Sequence, residues 1–292
     1  DVRQGSFDAN SAANKTWSGN LSSLNIAAGA TFDEIGYTAS RFDALTGSGT
    51  VNPVAGNAMT IGANNTAAGT YNAAGIAEFS GSISGSTMPL VKIGAGAQIL
   101  SGASTYSGGT TINGGKLLAN NTTGSGTGSG AVTVNNSGTM GGSGTVSGAV
   151  TVNAGGALAP GGVTTPGALT LSANLAMNAG ATFTVRVAGP AAGQHDMATC
   201  GGSVNLGGAT LSVDSTSLGY EAAPPGTVLF IVNKTGAGAV TGTFAGMPEG
   251  STVRLGVVGQ DWRITYTADY ATGSAMGGND VALVALRQGT TL

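Results

Sequence analysis

The segment GAVTVN at 130–135 returns unchanged at 148–153, a shift of 18 residues. A relative, GALTL, follows at 167–171, and upstream TTIN at 110–113 precedes VTVN at 132–135 by 22 residues. A period near 20 that slips by a few residues is the mark of stacked coils, in which each unit buries its apolar side only against its neighbours. Separate globular domains do not repeat so tightly.

Each unit holds a short alternating stretch, such as Val132-Thr133-Val134, Val150-Thr151-Val152 or Leu169-Thr170-Leu171, bounded by Gly, Asn and Ser. Alternation sends the apolar pair to one face of a strand and Thr to the other. Stacking such strands ~4.8 Å apart builds a parallel sheet with an apolar column inside. Composition points the same way: 53 of 292 residues are Gly. Gly costs up to ~1 kcal/mol against Ala in a helix interior, so long helices are excluded, whereas a coil with three tight corners needs Gly. The expected fold is all-β, a parallel β-helix solenoid.

Details follow from residue chemistry. Asn113, Asn135 and Asn153 close successive strands; they are expected in left-handed corner conformations, with side chains bonded along the stack. The run GSGTGSG at 124–130 reads either as a linker or as a tight loop between coils. Residues 157–168 are expected to form a loop, because Pro160 and Pro166 cannot donate to a ladder. From about residue 200 the alternating runs lengthen, as in TVLFIV at 227–232, and aromatic residues become more frequent. That part reads as a distinct C-terminal β-rich end covering the last coil. The organisation expected is N-terminal coils over 1–90, a Gly-rich repeat over 91–199 and C-terminal coils or cap over 200–292, in one continuous solenoid. Trp17, Phe32, Phe42 and Phe79 are the expected N-terminal core anchors.

Charge narrows the function. Ten basic and 13 acidic side chains leave a net charge of −3, too few cations to build a nucleic-acid stripe. Residues 117–185 contain no Asp, Glu, Lys, Arg or His. General acid–base chemistry and hard-metal cages need such groups, so this stretch is scaffold. Cys200, the single cysteine, cannot form an intrachain disulfide and reads as a small buried apolar side chain. No apolar run approaches the ~18 residues of a membrane span. Sequons at Asn14, Asn20 and Asn233 carry no weight where Asn, Ser and Thr are so common.

Candidate chemistry is sparse. His195 adjoins Asp196, but strand neighbours point to opposite faces, so a turn role is expected over a base and its orienter. Asp33, Glu34 and Asp43, with Arg41 among them, form the densest acidic group, and spacing could set Asp33 and Asp43 in adjacent turns. Gly126-x-Gly128-x-x-Ala131 approaches a dinucleotide fingerprint but opens a strand instead of the helix that would bind a pyrophosphate. Residues 277–280, GGND, are half of a calcium-binding nonapeptide, and one incomplete copy makes no cage. No residue is assigned a catalytic, cofactor-binding or metal-ligating role.

The stretch LSGASTYSGGTTINGGKL at 100–117 resembles the passenger-associated repeat of autotransporters, with Ser104 where that pattern usually has Asn. LTGSGTV at 45–51, FSGSI at 79–83 and VKIGAG at 91–96 resemble its leading segments. GGSGTV at 141–146, LAPG at 158–161, GTFAGMPEG at 242–250 and GNDVAL at 278–283 resemble its trailing ones. The resemblance implies a right-handed β-helix, secreted or surface-exposed, of a Gram-negative bacterium after signal-peptide removal. No translocator barrel follows before Leu292.

The function expected is that of an extracellular structural protein, not an enzyme. It would self-associate into a filament or surface layer through its solenoid ends, since such an end is an unpaired sheet edge and low charge gives little repulsion. The alternative is a monomeric surface adhesin binding glycans or neighbouring cells. Ranked below both is a polysaccharide-degrading enzyme using Asp33 and Asp43.

Overall fold

A computed structural model describes residues 6–8, 15–16, 23–33, 37–62, 75–85, 87–215, 219–220, 222–256 and 259–287. Trp17, Glu34, Asn14 and Asn20 lie outside these residues. The chain is all-β and winds as a parallel β-helix. Its first face is a nine-stranded sheet running from Lys15–Thr16 to Val204–Asn205. The second is a nine-stranded sheet from Leu24–Ile26 to Thr210–Asp214. The third side carries four strands at the N-terminal end, Ser6–Asp8 to Ser82–Ile83, and seven at the C-terminal end, beginning with Thr145–Val146.

Alternation sets the core. Ile61, Lys92, Ile112, Val134, Val152 and Met177 stand one above another in register on the first face. All are buried. The outward residues between them are Thr60, Val91, Thr111, Thr133, Thr151 and Ala176. A buried Val, Ile or Leu is worth roughly 1.5–3 kcal/mol, so each rung stabilises the next. Phe32, Phe42 and Phe79 are buried as expected, and Phe32 meets Phe42 edge-on at 5.6 Å.

The Asn corner follows one expectation and departs from another. Asn135 donates to Asn113 Oδ1 at 2.7 Å, Asn153 to Asn135 Oδ1 at 2.8 Å and Asn178 to Asn153 Oδ1 at 2.8 Å. None of them is left-handed: among the described residues the single non-glycine with positive φ is Ser137, at 68°. Gly115, Gly155 and Gly180 take the left-handed geometry after Asn113, Asn153 and Asn178, and Ser137 takes it after Asn135, leaving each Asn side chain free to bond along the stack.

One loop reading is decided and another changes. Residues 124–130 are not a linker but the tight Gly-rich loop between coils, running along the third side: Ser125 and Thr127 are buried, Ser104 N–H bonds Ser125 O at 2.8 Å and Gly126 N–H bonds Thr145 O at 2.9 Å. Ala157–Pro160 is a strand of the second face, paired with 139–142. Pro160 is accepted because it ends that strand; the following Gly161, free of the ring, exchanges two 2.8 Å backbone bonds with Gly142. The loop begins only there.

Val228–Lys234 is the last strand paired in parallel, and beyond it the winding continues through the parallel bridge of Thr241 with Asn205. Asp280–Ala285 pairs with Val228–Lys234 antiparallel, Gln260–Ala268 with Asp280–Ala285, and Thr252–Leu255 is the outermost. Phe244 lies over the last coil, its ring 5.8 Å from Phe183 and 6.3 Å from Tyr266. The Tyr266 hydroxyl donates to Met247 O at 2.7 Å and accepts from Phe244 N–H at 3.1 Å. Bulky rings thus close the apolar column at this end. Among the described residues no helix is long and apolar enough to cross a membrane.

Candidate functional site

Where the first face turns into the second, the coils around residues 94, 114 and 137 leave a concavity of about 470 Å³. Its lining is Gly94, Ala95, Asn113, Gly114, Gly115, Lys116, Ser137 and Thr139. Backbone packs tightly against backbone in its wall: a Cβ on Gly115 (φ 60°) would collide with Gly94 O and Gly96 O. The left-handed Ser137 borders the same hollow.

Two lysines flank this corner: Lys116 lines the hollow, and Lys92 lies buried behind its wall. Lys92 ends the strand Leu90–Lys92 facing inward, and its carbon stem fills the column between Ile61 and Ile112. Its ammonium stays buried at the corner and donates to Ile93 O at 2.6 Å, Gly94 O at 3.1 Å and Gly114 O at 3.2 Å, the last two carbonyls belonging to residues of the hollow's wall. Burial lowers its pKa to about 8, with the charge of Asp43 pulling the other way. Lys116 lies on Gly115–Ala119, in register with Ala97 and Thr139, and is exposed. From 79 through 185 these are the only two formally charged residues. The repeat brings both to one corner. The signal was in the sequence, as two isolated lysines 24 residues apart with a coil repeat near 20, but nothing local marks Lys92 as inward.

The acidic group is not brought together. Asp33 ends Thr31–Asp33 on the third side, where Asn52 Nδ2 donates to it at 2.6 Å. Asp43 follows Tyr37–Phe42 of the first face. The two belong to different sides of one coil, not to adjacent turns of one face, because the chain rounds a corner between them. Among the described residues no group of three or more His, Cys, Asp or Glu side chains could hold a metal.

His195 and Asp196 diverge. Asp196, wholly buried, takes Arg186 Nε at 2.8 Å and Nη2 at 3.1 Å, together with the backbone N–H groups of Arg186 and Gly167. Burial raises its pKa, countered by Arg186. The His195 imidazole bonds Phe230 O at 3.0 Å, and burial lowers its pKa. Arg186 also donates to Pro160 O and Thr165 O, so the pair fastens the loop beyond Gly161. Near 277–280, both Asp280 oxygens accept backbone N–H groups, from Lys234 and Tyr270, and the Asn279 amide donates to Gly236 O and Gly238 O. These groups fasten the closing sheet. Gly126 and Gly128 lie on a coil side with no helix after them. Cys200 is buried, its thiol pushed up to about 12.

Residues 90–119, which contain both lysines and six of the eight lining residues, match the family model described as passenger-associated-transport-repeat. No curated protein matches the chain.

Proposed function

From a chain that carries an autotransporter passenger repeat within a parallel β-helix, we propose an extracellular structural rod, held at or released from a Gram-negative cell surface after signal-peptide removal. It works as a rigid stem that presents its lateral faces to glycans or neighbouring cells. The observation that carries this reading is the closed C-terminal end: Phe244, Tyr266 and the antiparallel strands cover the column, which leaves the sides for contact. The reading gives no catalytic role to Asp33 and Asp43, which occupy different sides of a coil.

Self-association is the second reading, and one observation favours it. Val213, Val240, Met247 and Val253 are only partly buried at that same end, and Thr252–Leu255 is the margin of its sheet. Sedimentation velocity and imaging of the purified chain across salt and temperature decide between the two. Dispersed single rods are expected; concentration-dependent filaments would overturn the first reading in favour of the second.

A further inference from the structure

The corner hollow combines positive charge with neutral hydrogen-bonding groups. Asn113, Ser137 and Thr139 offer an amide and two hydroxyls, glycine backbone forms the rest of the wall, and Ala95 is the one apolar side chain in the lining. An apolar ligand finds little surface there, and a nucleic acid finds no ring on which to stack. Lys116 offers a free-standing ammonium at the margin. Lys92 has its three N–H bonds directed at carbonyls, so it acts on a ligand through its charge alone. Asp43 is the carboxylate whose field reaches Lys92, and Arg41 shares its coil, while no acid occurs between 79 and 185 to neutralise the pair locally.

We propose that this hollow binds an acidic glycan, the anionic group of one sugar resting on Lys116 and the hydroxyls of that sugar and its neighbour on Asn113, Ser137 and Thr139. The inference rests on the lateral-display reading and names the class of molecule displayed to. An anion in the hollow favours the protonated form of Lys92, so binding draws in protons near pH 8, where that amine titrates.

The test is calorimetric titration of the intact chain with three probes: an oligogalacturonate, a sulfated heparin-type oligosaccharide and a neutral dextran oligomer. Both acidic probes, or one of them, are expected to bind and dextran not; binding by one alone identifies the anion as carboxylate or sulfate. Lys116→Gln, a surface change that leaves the fold intact, is expected to weaken binding about tenfold, and Lys92→Met to abolish the fall in affinity between pH 7 and 9. Equal binding of dextran, binding unchanged in Lys116→Gln, or no binding of either acid overturns the proposal. Sedimentation of the same samples separates the two readings: single rods that bind neither acid refute the hollow but keep the rod, and filaments that bind through Lys116 do the reverse.

Discussion

The carboxamide of Gln98 bonds both backbone groups of Leu45, accepting from its N–H at 3.1 Å and donating to its C=O at 2.8 Å, across 53 residues of chain. Between them the strands Leu45–Gly47 and Ile76–Phe79 pair only through Gly47 and Phe79. Ala77, the register partner of Gln98, is small enough to let the longer side chain past. A side-chain amide therefore stands in for a missing rung. Gln260 does the same in the closing sheet, bonding Ala223 N–H at 2.9 Å and Ala223 O at 2.8 Å.

Gln98→Leu keeps the volume but leaves a buried N–H and C=O unpaired, at about 1–3 kcal/mol each. The expected result is a loss of roughly 2–4 kcal/mol in urea unfolding, with faster hydrogen exchange at the Leu45 amide. Exchange at the amides of 150–152 should be unaltered, because solenoid coils couple mainly to their neighbours.

The Asn113–Asn135–Asn153–Asn178 ladder is a chain of neutral, partly solvated bonds. Asn135→Ala removes two of them and is expected to cost about 1–2 kcal/mol. Asn113→Ala removes one, and the double variant should cost less than the sum, since the two share a bond. Thermal melts of the three variants check this.

Arg186 and Asp196 respond differently. Asp196→Ala leaves the guanidinium without its carboxylate and should destabilise by about 3–5 kcal/mol. Gly161→Ala strains a φ of 88° and drives a methyl into Asp196 Oδ1 and Arg186 Nη2. It should expose 161–167 to protease at concentrations that leave the parent intact.

Stability depends on pH through Lys92 and Cys200. The Lys92 amine titrates at about 8 in the folded chain against 10.5 unfolded. Between those values the unfolded state holds more protons, so its contribution to stability rises with pH. The Cys200 thiol moves from 9.0 to about 12, so its contribution is complete below 9 and declines above. Stability is therefore expected to climb by about 1 kcal/mol from pH 8 to 9 and then level off. Lys92→Met should remove the climb, measured as denaturation midpoints over that range.

Much of the fold was legible because strand alternation is local. Val132-Thr133-Val134 needs only its own backbone to decide which side is apolar. The corner conformation of Asn135 is not legible locally, because several residues of the turn can take the left-handed geometry and it falls to Ser137. The strand position of Pro160 is not legible locally, because its place at the last rung depends on where Gly142 lies in the preceding coil. The hollow escaped notice for a similar reason: Lys92 in VKIG looks like a solvated charge until Ile61 and Ile112 are set on either side of it.

The sequence by itself determined the repeat, the all-β class and the stretch of scaffold without charge, since each follows from composition and from the two-residue period of a strand. Only the tertiary structure decided which residues from different coils meet. The Asn ladder joins residues 22, 18 and 25 positions apart, a spacing no fixed period contains. Each coil takes up its own surplus of chain at the corners and on the third side, and backbone pairing then restores the register. Lys92 and Lys116 flank one corner for that reason, and Gln98 reaches the peptide groups of Leu45 for the same reason.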